Sequence, residues 1–266
     1  MRLNEVYGIL DTVAPKSLSD EYCARYGAYD NSGILLDTGD EIKGVLFSLD
    51  LTKTAIEKAL QTGANLIVTH HPAIYSKIAD IKASDYLGEK IVLCLKNGIS
   101  VIAMHLNLDC ADGGVDACLT VGVSESAGGQ QPVCAVMHTL SLGGYGRAYD
   151  LPSITLRNLA KNMEKTFSTS RVLVYGDEKK EVKRAASFCG AGADEDAIAF
   201  AIAQGADVVV SSDFKHHILQ LAVEKGLGVI VLTHYASETY GFEKYYQKIR
   251  SSISLPCVYH VDEIML

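Results

Sequence analysis

The sequence predicts an α/β protein of two related lobes, each with a mostly parallel sheet flanked by helices, around a shared cleft. Three observations carry that expectation. A strand–helix–strand pattern occurs twice in the 266 residues. Its strands are β-branched runs and its helices show apolar spacing. Its polar, reactive side chains gather just beyond the ends of strands, where parallel α/β sheets collect their ligands.

The first copy spans residues 45–71, VLFSLDLTKTAIEKALQTGANLIVTHH, and the second residues 187–213, SFCGAGADEDAIAFAIAQGADVVVSSD. Shifting one by 142 places Ala55-Ile56 on Ala197-Ile198 and Gly63-Ala64 on Gly205-Ala206. Each copy reads as strand, loop, helix, glycine turn, strand. Ile56, Ala59 and Leu60 mark one helix face, Ile198 and Ile202 the other, and Gly63 and Gly205 stand where a helix ends in the left-handed region. Beyond them, Lys96-Asn97-Gly98 closes a helix and residues 99–103 form a strand leading to His105. Glu224-Lys225-Gly226 closes a helix and residues 227–232 form a strand leading to His234. A shift of 129 puts His105 on His234 and Asp109 on Glu238. Between the copies, residues 131–149 read as strand with a glycine-rich turn at Gly143, Gly144 and Gly146. Residues 154–167 read as helix and residues 171–176 as strand. The lobes are assigned to residues 1–125 and 126–266, intimately packed.

Composition excludes several classes. Apolar residues are 48% and charged residues 21%, too apolar for a disordered chain. The 24 Lys and Arg against 32 Asp and Glu give a net charge of −8, with no basic cluster for a nucleic-acid surface. No apolar run approaches the roughly 18 residues of a membrane span, and the N-terminus does not read as a signal peptide. The seven cysteines are scattered without Cys-x-x-Cys spacing, which suits reduced thiols in a cytoplasm.

The chemistry-bearing groups sit at four strand ends: His70-His71-Pro72; His105 and Asp109; Asp213, Lys215, His216 and His217; His234 and Glu238. An isolated His-His pair could equally be buried histidines bonded to backbone. Adjacent residues leaving an extended segment point apart, however, and so suit two neighbouring ions better than one. His105 with Asp109 and His234 with Glu238, each four apart, meet on one face if a helical turn opens there. Singly these are ordinary polar loops; repeated in a duplicated frame they form two half-sites. Imidazole with carboxylate suits Zn, Mn, Fe or Ni, and the absence of a thiolate among them argues against a closed structural zinc.

Five ordered motifs then resemble the Nif-three-like family, whose members are often labelled GTP cyclohydrolase 1 type 2 homologues. They are Tyr29-Asp30-Asn31-Ser32-Gly33-Ile34, Thr69-His70-His71-Pro72, His105-Leu106-Asn107-Leu108-Asp109, Asp213-Phe214-Lys215-His216-His217 and His234-Tyr235-Ala236-Ser237-Glu238. The resemblance implies a Nif-three-like fold of two lobes with a dinuclear metal cleft between them, in a toroidal homohexamer. It makes His70 and His71 ligands of one ion each, and Asp109, His234 and Glu238 further ligands. His105 becomes a sixth ligand or a partner orienting one. Leu106 stands where relatives commonly carry Thr, and Leu35-Leu36-Asp37-Thr38 departs from a glycine-rich end. No room exists for the inserted domain of longer relatives, so this is the short form.

The function expected is a cytoplasmic, two-metal hydrolase acting through a metal-bound water on a small substrate, such as a nucleotide or phosphoester. His105, His216 or His217 would shuttle protons and Lys215 would hold an anionic group. The rival for Lys215-His216-His217 is a solvated helix start, and for Asp30-Asn31-Ser32-Gly33 a plain turn. Gly143-Gly144-Tyr145-Gly146 lacks the Lys-Ser of a phosphate loop, so the GTP label carries little weight. The alternative function is a non-catalytic metal-binding or delivery protein, or an oligomeric scaffold.

Overall fold

Two helices that the sequence pattern does not announce lead the chain. The structure, a computed structural model describing residues 1–266, begins with α1 (Leu3–Asp11) and α2 (Lys16–Tyr26). Leu3, Val6 and Leu10 line the buried face of α1 at three- and four-residue spacing, and Gly27 ends α2 in the left-handed region. Then come β1 (Gly33–Leu36), β2 (Val45–Ser48), α3 (Lys53–Thr62), β3 (Leu66–Thr69), α4 (Tyr86–Lys96), β4 (Ser100–Ala103) and the short α5 (Leu106–Cys110). Thr52 caps α3 by accepting from the Ala55 amide at 3.1 Å, and Ala55, Ile56 and Ala59 face inward. The chain continues through α6 (Val115–Ser126), β5 (Cys134–Thr139), β6 (Gly144–Thr155), α7 (Leu156–Thr166), β7 (Leu173–Tyr175) and β8 (Glu181–Ser187). After these follow α8 (Glu195–Ala203), β9 (Val208–Ser211), α9 (His216–Glu224), β10 (Gly228–Val231), α10 (His234–Ile249) and β11 (Cys257–His260). No helix is long and apolar enough to cross a membrane.

The strands form two sheets. The first has the order β1-β4-β3-β2-β11, parallel except that β1 runs against β4. The second has the order β5-β6-β8-β9-β10-β7. There the repeat strands β8, β9 and β10 are parallel, while β5, β6 and β7 pair antiparallel. Gly143 (φ 76) permits the reversal between β5 and β6 that the glycine-rich stretch suggested. Strands β2, β3 and β4 are buried along their whole length. A fully buried aliphatic side chain is worth about 1.5–3 kcal/mol, so a one-residue slip would forfeit many such contributions and the register is firmly set.

The chain divides into two compact units: Met1–Ala111 with Phe242–Asp262, and Asp112–Gly241 with Glu263–Leu266. These bounds differ from 1–125 and 126–266 for two reasons. Helix α6 belongs with the second sheet, because Asn162 of α7 donates to the Ser126 carbonyl at 2.8 Å and the Gly146 amide to Asp116 at 3.0 Å. Strand β11 returns to the first sheet, pairing Cys257 with Val45. The core of the first unit gathers Leu46, Ile56, Ile67 and Val101; that of the second gathers Phe188, Ile198, Val209, Ile218 and Val229.

Register corrects the repeat. Leu66 pairs with Val45 as Val208 pairs with Ala185, so the first strand of the second copy begins before residue 187 and its shift is 140, not 142. Likewise Leu66 pairs with Ser100 as Val208 pairs with Gly228, a shift of 128. One extra residue before α10 then brings His234 to the start of its helix, matching His105 ahead of α5.

Candidate functional site

In the first unit, the end of β3 delivers a histidine pair. The His70 and His71 amides both donate to the Leu49 carbonyl, at 3.1 and 3.0 Å, and the Thr69 hydroxyl donates to the His71 carbonyl at 2.7 Å. His70 is fully buried, with Nδ1 2.7 Å from the Met104 carbonyl. A carbonyl only accepts, so Nδ1 carries the proton and Nε2 presents a lone pair in the neutral ring. That Nε2 lies 3.4 Å from Asp109 Oδ1. His71 Nδ1 is 2.8 Å from Asp50 Oδ1, and His105 Nδ1 is 2.7 Å from Asp30 Oδ1. The donor nitrogens of His70, His71 and His105 all lie within 4.8 Å of one another, a group that could hold a metal ion.

Asp30 is itself built in. Its Oδ2 accepts from the Ser32 amide at 3.1 Å and from the Ser32 and Ser19 hydroxyls at 2.5 Å each. Burial alone would raise its pKa, but the hydrogen bond and charge of His105 and the two hydroxyls outweigh that. They hold the carboxyl below the usual carboxylate range. The His105 amide also donates to Ser32 Oγ at 3.2 Å, so this segment fixes both ring and backbone of His105.

In the second unit, α10 opens on His234. Its Nδ1 is 2.6 Å from Asp213 Oδ2 and its Nε2 is 3.0 Å from Glu238 Oε2, one helical turn on and buried. Carboxylates face both nitrogens of this ring. Such a ring is either doubly protonated, or it donates from Nδ1 and shares a cation with Glu238 through Nε2.

His70, His71, His105 and Asp109 come together within the first unit, and His234 with Glu238 within the second. Lys215, His216 and His217 are exposed at the start of α9, and His217 faces Glu195 at 3.3 Å. Asp50 lies outside every motif of the sequence. It lies two residues past β2, at the same strand-end level as the other polar groups, and that level was the one available signal. The Asp30 segment, readable as a plain turn, positions His105. Asp213 turned out to brace His234.

The donor chemistry fits divalent metal. His70, His71, His105 and His234 each have Nδ1 tied to an acceptor, the arrangement that fixes metal-binding imidazoles in one tautomer. His70 and His234 further aim Nε2 at a carboxylate.

Comparison with known proteins shows which family the chain resembles. A "GTP cyclohydrolase 1 type 2 homolog" of Clostridium perfringens is 28% identical over 258 residues, covering 95% of this chain and 93% of its own. Another of that name from Methanocaldococcus jannaschii is 28% identical over 264 residues, covering 97% and 98%. Among solved structures, a hypothetical protein of Staphylococcus aureus superposes with a TM-score of 0.82 at 24% identity, covering 98% and 96%. Reduced HcgD from Methanocaldococcus jannaschii superposes at 0.75 and 26%, covering 97% of each chain. The model of the Duf34/NIF3 (NGG1p interacting factor 3) family matches residues 1–262, and the chain belongs to that family.

Proposed function

We propose that this protein binds two divalent metal ions per chain and uses them as a hydrolase on a small substrate of the nucleotide or phosphoester kind. The supporting observation is the set of imidazoles whose Nδ1 atoms are held by acceptors. In this reading His70, His71 and Asp109 are ligands from the first unit, and His234 and Glu238 from the second. Zn, Fe, Mn or Ni matches such donors. Bound there, the ion supplies Lewis acidity toward water and toward the substrate bond under attack.

The chain's own proton carrier is His105. Its Nδ1 donates to an Asp30 carboxyl that stays ionised, so Nε2 is the atom at which a proton is taken up and released. The side chain is 23% exposed, enough to reach a bound molecule. Lys215, His216 and His217 lend less support. Their exposure, and the pairing of His217 with Glu195, favour the solvated helix start. That observation also keeps a second reading in play, a metal-binding protein without turnover.

Elemental analysis of freshly purified protein decides the first claim. About two equivalents per chain are expected, and a His70→Ala, Glu238→Ala double variant should lose them. Native protein that carries no metal and takes up none on addition would sink the reading. For turnover, GTP belongs in the screen because the relatives' name mentions it. Phosphoesters, other nucleotides and cyclic amides complete it, after reconstitution with Mn, Zn or Fe. Asp109→Ala should cut any activity by about two orders of magnitude. Activity indifferent to that change, or no activity from metal-loaded protein, favours the non-catalytic reading.

A further inference from the structure

The turn after β8 reads Cys189-Gly190-Ala191-Gly192-Ala193-Asp194. A Gly-x-Gly segment between strand and helix commonly cradles an anion. Here the first turn of α8 carries Glu195 and Asp196, which disfavour one, and the backbone of the turn is already engaged. The Cys189 amide donates to Asp116 Oδ1 at 3.1 Å, and the Tyr145 hydroxyl donates to the Cys189 carbonyl at 2.5 Å. The Gly190 carbonyl accepts from the Ser212 amide and the Ser211 hydroxyl, each at 3.3 Å. Asp116 is fully buried, ion-paired with Arg147 and bonded to the Gly146 amide. A Cβ on Gly192 would collide with the Tyr145 hydroxyl.

This clamp holds Gly190 at φ +56, in the left-handed region, with its bare Cα against the reactive pair. A Cβ there would overlap Glu238 Oε1 and lie 3.2 Å from His234 Nε2. By strand register, Gly190 stands where Asp50 stands in the first unit, since Ala185 and Val45 are equivalent. One copy uses this place for a carboxylate that braces His71, and the other leaves it without a side chain.

We infer that Gly190 is a positioning residue for His234 and Glu238: its missing side chain lets carboxylate and Nε2 occupy their places together, and the Asp116–Tyr145 clamp keeps its backbone there. The role in metal binding rests on the function proposed above; the seating of the pair does not.

The test uses the full chain and zinc alone. Zinc affinity is measured by competition with a fluorescent chelator, following the ion that Glu238→Ala loses, in wild type, Gly190→Ala, Gly205→Ala and Tyr145→Phe. Gly205, at φ +69 with nothing within 4 Å of an added Cβ, controls for backbone strain without the collision. Gly190→Ala should weaken zinc by about tenfold or more, and Tyr145→Phe by less. Gly205→Ala should bind as wild type does. In metal-free protein, the ring ¹⁵N resonances of His234 should move in Gly190→Ala and stay put in Gly205→Ala. Equal zinc affinity for the two alanine variants, with unmoved resonances, overturns the inference. Should Gly190→Ala fail to fold, unchanged affinity and resonances in Tyr145→Phe overturn it instead. Wild-type protein that binds no zinc overturns the metal reading, and the resonances then decide the seating of the pair alone.

Discussion

At the scale of single residues, the histidines are defined by what holds their far nitrogen. Asp50 and Asp213 each accept from an Nδ1, at 2.8 and 2.6 Å, and both carboxylates are substantially exposed. Exposed ion pairs contribute little to stability, so removing these charges should leave folding nearly intact. Metal affinity should respond instead, because a partner that orients an imidazole is worth about 10–100-fold. Asp50→Asn and Asp213→Asn are therefore expected to weaken zinc by at least about tenfold with melting temperatures close to wild type. Wild-type affinity in both would show that packing alone orients the rings. The sequence announced His70, His71, His105, Asp109, His234 and Glu238 because each is a reactive side chain just past a β-branched run. It hid Asp50 and Gly190, since an aspartate or a glycine after a strand reads as turn chemistry. Their meaning appears only when strand register shows that they occupy the same place in two copies.

At the scale of elements, local signals located what they physically encode. The caps of α3 and α8, Thr52 and Asp194, and the left-handed Gly63 and Gly205 bound helices where the apolar spacing placed them. Helices α1 and α2 lie outside the repeat, and α2 has a weakly amphipathic sequence, so neither carries a signal of the kind that marks α3 and α8. The start of α7 moved to residue 156 because Ile154 and Thr155 pair with Val182 and Glu181 as an extension of β6. Tertiary pairing overrode the local preference there. Helix α6 joins β6 through one buried ion pair, Asp116 with Arg147, in which Arg147 also donates to the Gly144 carbonyl at 3.0 Å. Breaking such a pair from one side leaves an uncompensated buried charge and costs about 3–5 kcal/mol. Arg147→Met should lower the urea-unfolding free energy by that amount. A loss under about 1 kcal/mol would mean that water reaches Asp116 and that the clamp behind Gly190 is softer than its burial implies.

At the scale of the whole molecule, the remaining question is what the chain does with its open sheet edges. The six-stranded sheet ends in β5 on one side and β7 on the other. Leu173, which opens β7, is 56% exposed, Val133, just before β5, is 96% exposed, and Leu142, in the turn from β5 to β6, is 61% exposed. Single exposed apolar residues are ordinary, but on strand edges they invite pairing with another chain unless something covers them. The hexamer expected from the sequence motifs supplies a number to test for the copies, and the edges supply a physical reason to associate. Light scattering at micromolar concentration is expected to give the mass of six 28.7 kDa chains. Val133→Lys with Leu142→Lys should shift the population toward smaller species. A monodisperse wild-type monomer would contradict this. Salt gives an independent check on the cause. Each chain carries a net charge of −8, so copies repel one another, and screening over roughly 10 Å at 0.1 M weakens that repulsion. An assembly held by apolar edges should therefore tighten as salt rises, whereas one that dissociates in salt would be held by ionic contacts elsewhere on the surface.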